Sequence, residues 1–575
     1  MFFSFDFDSP PLLTAGAILL AAIYTLLYRL QLTKSHQNEP PIIPSYIPYV
    51  GHLLGMALEG GRYIKSIGLK NRDKPIFTLP VPGSRMYIVT DPSLASAVQR
   101  ATKQLSFTPL VPDLTERVLG LDKETVKIVR QNLDPEPGEP RGFLAKMHDM
   151  IYQYLGPGTD LNELSLSAAQ ELATQVNAYL TDRQNPKTVD LLLWVRHFVT
   201  IATAQFLYGE RNPIAEHKEL EQAFWDFDHG LGALLINILP SLTARKPYQG
   251  REALVRGFME YLEKKHDRGE GVSGIVKRRI QIAREHGWST QAIARSEVSF
   301  LFAGIVNTAT TTFWVVLQIF ANRELLGSVR MELKHAQRGE GEKKRVLSLD
   351  AVKNNCPVLS SVFRECLRVG SDNYSTRLVK DDMMLSGGRG GQQWWFRKGS
   401  VVQIAGGVIH NDTGIWGGDA SEFNPTRFLK LGQKEAGPSS EGLSSSWVAV
   451  SRSDSGYGSG SAGSSDSGGT RGSSEKGAGS AGKVGAGGGA VHPAAFRAFG
   501  GGKTLCPGRH FATNEILAFV SMIVLAFDLE PADGSSSTKV PAKEDGVLPV
   551  HILEPKTEVK VKVKVRDGRE VMVVA

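Results

Sequence analysis

The chain has 575 residues, of which 41% are hydrophobic, and it carries a formal net charge of +7. A chain of this size can bury a large apolar core, and a mild basic excess without a dense basic run gives no support for nucleic-acid binding. The three cysteines, Cys356, Cys366 and Cys506, are too few for a secreted disulfide scaffold and fit free thiols in a reducing compartment.

An apolar segment at the N-terminus is the first predicted element. No charged residue occurs from Ser9 to Tyr28, and about twenty helical residues span the roughly 30 Å of a bilayer core. Arg29 and Lys34 follow this segment, so the positive-inside rule predicts that the downstream chain faces the cytoplasm. We expect residues 1–33 to form a single-pass membrane anchor.

A proline-rich hinge is predicted next, over residues 34–52, because four prolines between Glu39 and His52 exclude a helix there. The remainder, residues 53–575, is predicted to be one catalytic domain.

The body of the chain combines short strand-like runs, such as 74–89, with long helical regions. Two of these regions are predicted over 290–337 and 349–369. The pattern predicts a mainly α fold with small β-sheets, and it does not fit alternating βα units.

Two later segments have their own signatures. Residues 433–489 are dominated by Gly and Ser and cannot bury enough surface to offset their conformational entropy, which predicts a disordered insertion. At the C-terminus, Val559 to Val565 alternates Val and Lys, and an Asp-Gly pair separates it from Val571 to Val574. Alternation around such a turn predicts a β-hairpin.

The segment FRAFGGGKTLCPGRHFA, from Phe496 to Ala512, carries the strongest chemical signal. Consecutive glycines allow a sharp turn before Cys506, and a predicted helix begins directly after Gly508. Amide N–H groups at a helix start stabilise a thiolate, so we expect them to lower the pKa of the thiol. Phe499 can cover the sulfur and exclude water.

This segment resembles the haem-binding signature of the cytochrome P450 family, F-x-x-G-x-x-x-C-x-G-x-x-x-A. The matching positions are Phe499, Gly502, Cys506, Gly508 and Ala512. The resemblance implies that Cys506 is the axial thiolate ligand of the iron of haem b. The chain has Thr504 where most members have an arginine or histidine that holds a haem propionate.

Three further segments resemble the family. Glu365 and Arg368 lie three residues apart on a predicted helix and resemble the E-x-x-R motif, and Arg427 lies in a P-x-R-F segment. The resemblance implies that these three residues form a structural network around the haem core. It also implies that Arg377, on a strand, contacts a haem propionate. The family's W-x-x-x-R helix is absent from the sequence.

The segment from Phe300 to Phe320 is apolar on nearly every side and is therefore predicted to be a buried helix. It resembles the family's oxygen-binding helix, with Val306 at the usual acid position and Asn307 at the usual alcohol position. This departure resembles the sterol 7α-hydroxylase and prostacyclin synthase branch. Asn307 and Thr308 are therefore the candidate catalytic residues, since valine cannot relay protons.

The resemblance implies a monooxygenase that inserts one oxygen atom from O2 into a lipophilic substrate, such as a sterol, terpenoid or polyketide. It implies electrons from NADPH through a cytochrome P450 reductase, and a location in the endoplasmic reticulum membrane with the catalytic domain in the cytoplasm. The insertion and the cysteine loop resemble fungal members, which favours secondary metabolite biosynthesis. Two alternatives stay open: a peroxide-using isomerase or dehydratase like prostacyclin synthase, and a non-enzymatic haem- or sterol-binding membrane protein.

Overall fold

The computed structural model describes residues 10–136, 138–181, 186–340, 344–388, 390–429 and 491–575. The Gly/Ser insertion predicted at 433–489 lies outside these residues. Within them the fold is mainly α with small β-sheets, as the sequence predicts.

The helices of the described residues are α1 (Pro10–Gln31), α2 (Gly51–Glu59), α3 (Gly61–Lys70), α4 (Pro92–Arg100), α5 (Val111–Leu119), α6 (Lys123–Val129), α7 (Phe143–Leu155), α8 (Thr159–Leu180), α9 (Leu191–Tyr208), α10 (Pro213–Glu216), α11 (Glu219–His229), α12 (Leu231–Ile236), α13 (Pro240–Thr243), α14 (Arg245–Glu263), α15 (Gly274–Glu285), α16 (Thr290–Ala321), α17 (Arg323–Ala336), α18 (Leu349–Asn355), α19 (Pro357–Gly370), α20 (Gly406–His410), α21 (Thr413–Trp416) and α22 (Arg509–Ala526).

The strands are β1 (Ile76–Val81), β2 (Ser84–Val89), β3 (Leu105–Ser106), β4 (Lys187–Asp190), β5 (Gln337–Glu340), β6 (Lys344–Ser348), β7 (Tyr374–Val379), β8 (Met383–Ser386), β9 (Gln393–Phe396), β10 (Val401–Ala405), β11 (Phe527–Pro531), β12 (Lys560–Val565) and β13 (Glu570–Val574). They form sheets in the orders β1-β2-β10-β7-β3, β11-β12-β4, β13-β6-β5 and β8-β9. In the largest sheet β10 pairs parallel with β2 and antiparallel with β7, with Val402 opposite Arg377.

Both long helical regions are interrupted once. Asn322 separates α16 from α17, and its side chain accepts a hydrogen bond from the amide of Leu325, which caps the second helix. Cys356 separates α18 from α19, because Pro357 occupies the first turn of α19, where a missing N–H costs nothing. Each predicted region is helical, but each consists of two helices, where the sequence predicts one continuous helix.

The predicted C-terminal hairpin is wrong. Strands β12 and β13 exist, yet β12 pairs with β11 and β4, whereas β13 pairs in parallel with β6 of another sheet. The intervening Asp567 binds Arg345 and Arg569 through its carboxylate. Each strand therefore buries its alternating valines against a different partner, and the turn serves as a crossover between two sheets.

Among the described helices that are long and apolar enough to cross a bilayer, only α1 is left largely unburied. The window Thr14–Gln31 has a mean hydropathy of 1.3, and only 6% of it is buried. Helices α9, α16 and α22 are also long and apolar enough to cross a bilayer, but 67–78% of each is buried in the protein. Their apolar residues form the core, whereas the apolar surface of α1 has no cover in the described chain.

The hinge after α1 is held against the body by polar contacts. The side chain of Gln31 donates to the carbonyl of Ser45 at 3.1 Å, and Arg85 donates to the carbonyl of Thr33 at 2.8 Å. Arg85 also pairs with the buried Glu39 at 3.4 Å. These contacts fix the point at which α1 leaves the body.

Candidate active site

The cysteine loop is closed by its own backbone. The amide of Cys506 donates to the carbonyl of Phe499 at 2.8 Å, and the amide of Leu505 donates to the carbonyl of Gly502 at 3.0 Å. Gly502 has a φ of 60°, and a Cβ there would lie 2.9 Å from the Cβ of Gln99. Glycine is therefore required at position 502 by both conformation and space.

The thiol of Cys506 is half-buried at the start of α22. Burial raises the pKa of this thiol, while the Gly508 amide and the charge of Arg509 act in the opposite direction. The helix-start amide of Gly508 therefore acts in the expected direction, but desolvation outweighs it and the net pKa of the thiol is raised. A cationic ligand at the sulfur would reverse this balance.

The two flanking signature residues have different surroundings. Phe499 is partly buried and packs against the main hydrophobic core beside the loop. A Cβ on Gly508 would lie 3.9 Å from the sulfur of Cys506 and 3.8 Å from Leu155, which are ordinary contacts. The described chain thus constrains position 508 less than position 502.

The predicted network of Glu365, Arg368 and Arg427 is present and deeply buried. Arg368 donates to both carboxylate oxygens of Glu365, at 2.7 and 2.8 Å, and Arg427 donates to the same carboxylate at 2.9 Å. The backbone amide of Asn424 is a fourth donor at 3.0 Å. All these charges are paired, as burial requires.

His410 links this network to the cysteine loop, and sequence analysis did not identify it. Arg368 donates to the carbonyl of His410 at 2.5 Å, and the ring of His410 accepts from the amide of Arg497 at 2.8 Å. Burial lowers the pKa of His410 to about 3, so the ring is neutral and can accept. A histidine at the end of α20 carries no sequence signal for this role.

Arg377 lies on β7 and points at the cysteine loop. Its guanidinium donates to the hydroxyl of Thr504 at 2.7 Å and to the carbonyl of Gly501 at 3.3 Å. The side chain is buried, and no ion pair with a carboxylate is present among the described residues. Desolvation alone lowers the pKa of Arg377 to about 10. A buried cation with no anion fits an anionic group from outside the chain.

Helix α16 is buried along most of its length, but Ala303 and Asn307, one turn apart, are exposed. The side-chain oxygen of Asn307 accepts from the amide of Ile552 at 3.0 Å. Thr308 turns the other way: it is buried, and its hydroxyl donates to Glu515 of α22 at 3.2 Å. The two candidate catalytic residues therefore do not share one face, and only Asn307 lies on the accessible face.

Glu515 is a second residue that sequence analysis missed. It is fully buried in α22, and burial raises the pKa of this carboxyl to about 8, while the Thr308 hydroxyl partly offsets the shift. A lone glutamate at the edge of the apolar run from Ile516 to Leu525 was the available signal. Its contact with Thr308 joins α16 to the helix that begins at the cysteine loop.

These residues fit a haem group. Cys506 offers a sulfur ligand, the exposed Ala303 would leave room for a planar group beside α16, and Arg377 offers a buried cation for a propionate. Lys503 in the cysteine loop lies near His148 of α7, whose ring centroid is 4.4 Å from that of Tyr152.

Comparisons with known proteins agree with this geometry. The sequence model described as "Cytochrome P450" matches residues 40–443 and 483–561. Cytochrome P450 monooxygenase nodJ of Hypoxylon pulicicidum is 30% identical over 505 residues, which cover 86% of this chain and 84% of the relative. A cytochrome P450 monooxygenase of Gibberella zeae is 27% identical and covers 86% and 82%.

The resemblance to the sterol 7α-hydroxylase branch is weaker. Mouse cytochrome P450 7B1 is 24% identical over 91% of this chain and 90% of the relative. Among solved structures, a retinoic acid-bound cyanobacterial protein, CYP120A1, superposes with a TM-score of 0.63 over 92% of this chain and 100% of its own, at 18% identity. That likeness concerns the fold.

Proposed function

The chain belongs to the cytochrome P450 family and is a monooxygenase of that family, and we propose that it oxidises a sterol, terpenoid or polyketide in fungal secondary metabolism. The proposed reaction inserts one atom of O2 into a C–H bond and reduces the other atom to water with two electrons and two protons. Two relatives that are named as monooxygenases come from fungi, which supports the fungal setting.

One observation carries the proposal. Helix α22, which begins just after the half-buried Cys506, contacts the buried helix α16 through Glu515 and Thr308, and α16 has an accessible face at Ala303 and Asn307. A bound haem would supply the iron that activates dioxygen, with Cys506 as its thiolate ligand. Arg377 would hold a propionate, and Phe499 would shield the sulfur side from water.

Asn307 is proposed to organise the accessible face. It does not titrate, but its amide group can still donate hydrogen bonds while its oxygen holds the Ile552 amide. It can therefore orient a water molecule or a substrate hydroxyl without itself delivering a proton. Thr308 is proposed to act indirectly, by fixing α16 against Glu515, because its hydroxyl does not reach the face of Asn307.

Residues 1–33 are proposed to anchor the protein in the endoplasmic reticulum membrane, with a hinge over 34–52 and the catalytic domain from 53 onward in the cytoplasm. The exposed apolar surface of α1 and the positive charge of Arg29 support this arrangement. Electrons are proposed to come from NADPH through a membrane-bound reductase, to which the net positive charge of the chain is suited.

The isomerase alternative is favoured by one observation, namely that Asn307 occupies the accessible face and Val306 is buried beside it. An isomerase needs neither O2 nor a reductase. Relatives named as monooxygenases favour the oxygen-inserting reaction over this alternative and over a non-enzymatic binding protein.

The decisive experiment incubates the full-length protein with reductase, NADPH and a library of sterols, terpenoids and polyketides under ¹⁸O₂. We expect a product that carries one ¹⁸O atom and forms only when NADPH is present. Product formation without O2 and NADPH would support the isomerase and contradict the proposal.

Cys506→Ser serves as the matched variant, since it changes one atom in the loop. We expect loss of the thiolate signature in the absorption spectrum of the reduced, CO-treated protein, together with loss of labelled product. An unchanged spectrum would show that Cys506 is not the ligand.

A further inference from the structure

A second cluster of metal-ligating side chains lies between the end of α11 and the loop at 551–554. Asp228, His551 and Glu554 each place one donor atom within 4.8 Å of the other two. Asp228 is fully buried, and neither of its oxygens has a hydrogen-bond partner among the described residues. A buried carboxylate whose two oxygens have no hydrogen-bond donor is free to act as a metal ligand.

The ring of His551 is oriented by its Nδ1. Nδ1 lies 2.8 Å from the carbonyl of Ile552, and because a carbonyl only accepts, Nδ1 is the donor. Nε2 then faces an oxygen of Asp228 at 3.6 Å, beyond hydrogen-bond distance. Metal-binding histidines use the same arrangement, with the second nitrogen bonded to a carbonyl.

The carboxylate of Glu554 is oriented by an ion pair with Arg196. Arg196 pairs with Oε1 of Glu554, which leaves Oε2 directed toward His229 at 3.4 Å. A metal ion at Asp228, His551 and Glu554 would be held by these three donor atoms, with Arg196 outside the ligand set.

We infer that Asp228, His551 and Glu554 bind a zinc ion, with His229 or water as the fourth ligand. Donors at about 2.0–2.2 Å from a tetrahedral zinc lie roughly 3.3–3.6 Å apart. The His551–Asp228 separation is 3.6 Å, and all three donor atoms lie within 4.8 Å of one another. A mixed nitrogen and oxygen set suits zinc better than the all-oxygen sites of calcium or magnesium. His229 is 48% exposed and gives the ion a route from solvent.

The proposed site has a structural consequence for the active site. The loop that holds His551 and Glu554 also holds Ile552, whose amide binds Asn307 on the accessible face of α16. Zinc would therefore tie the end of α11 to a loop that contacts this face. The site itself contains no haem ligand, so it stands or falls independently of the proposed reaction.

The test measures zinc and iron together in the full-length, haem-loaded protein from which any affinity tag has been removed. After equilibration with a zinc, calcium and magnesium mixture and removal of unbound ions, we expect about one zinc per iron by mass spectrometry of the elements. Asp228→Asn and His551→Gln should each lower the ratio below about 0.2, because each removes one of three ligands.

His217→Gln is the matched control, since His217 pairs with Glu260 at 2.9 Å in another part of the molecule, and it should leave the ratio unchanged. Zinc should also raise the thermal midpoint of the wild-type protein and of His217→Gln, but not that of Asp228→Asn or His551→Gln. A wild-type ratio near zero, calcium or magnesium in place of zinc, or full zinc retention in both ligand variants would overturn the inference.

Discussion

Glu365 and Glu515 are both fully buried near the cysteine loop, yet the chain treats their carboxylates differently. Glu365 accepts from two arginines and a backbone amide. Glu515 accepts one hydroxyl hydrogen bond from Thr308, and its other oxygen has no hydrogen-bond partner in the described chain. Burial raises the pKa of Glu515 to about 8.

The difference shows two ways of burying an acid. At Glu365 two guanidinium groups pair with the carboxylate, which fixes the surrounding chain segments relative to one another. At Glu515 burial suppresses the charge, so the group is a neutral acid near pH 7. Arg377 completes the comparison as a buried cation that has no carboxylate partner among the described residues.

The largest expected effect comes from breaking the paired acid. Glu365→Gln leaves Arg368 and Arg427 buried with a neutral partner, and we expect a loss of about 3–5 kcal/mol in the free energy of unfolding. Denaturant unfolding measures it. The control is Glu124→Gln, whose partner Lys127 is exposed and whose cost should stay below about 1 kcal/mol. Equal losses in the two variants would contradict the assigned role.

Replacing the second buried acid, Glu515, should stabilise the protein at neutral pH, whereas replacing Glu365 should destabilise it. The native state holds the Glu515 proton up to about pH 8, whereas the unfolded chain releases it near its ordinary value of 4.5. The unfolded state therefore binds fewer protons in this window, and stability falls as pH rises from 4.5 to 8. Glu515→Gln should remove this decline. The free energy of unfolding of the variant, relative to wild type, should therefore be about 3 kcal/mol higher at neutral pH than at pH 4.5. Parallel stability curves for wild type and variant would refute the buried neutral acid.

The third prediction concerns Arg377, the buried cation of the comparison. Arg377→Met removes a buried cation without breaking an ion pair of the described chain, so we expect only a small change in folding. The loss of a charged hydrogen bond to a propionate should speed haem dissociation about 10- to 100-fold, as measured by haem transfer to a scavenger protein. Arg397→Met, an exposed position in the neighbouring strand region, is the control. An unchanged dissociation rate would exclude a propionate contact.

The smallest effect is expected at the accessible face. Asn307→Ala leaves the amide of Ile552 without its acceptor, which should cost about 1 kcal/mol and weaken substrate binding. Asn307→Asp keeps the acceptor and should keep most of the stability. Calorimetric melting compares the two, and an equal loss in both variants would show that the oxygen of Asn307 does not matter.

Much of the candidate site could be predicted from the sequence, because local spacing carries it. The Cys506 loop, the Glu365–Arg368 pair and the buried character of α16 all follow from short-range patterns. The prediction of a C-terminal hairpin was wrong for the same reason. Alternation and an Asp-Gly pair predict two strands but not their partners, and here each strand pairs with a strand that is distant in sequence.

The sequence alone determined the family, the cysteine that can bind a metal, and the mainly α architecture, since glycine spacing and helical periodicity are local properties. Only the tertiary structure decided how charges are compensated. Four features depend on burial and on partners far away in the chain: the neutral Glu515, Arg377 without a carboxylate partner in the described residues, the accepting ring of His410 and the cluster around Asp228. Desolvation is a property of the packed molecule, and no spacing along the chain encodes it.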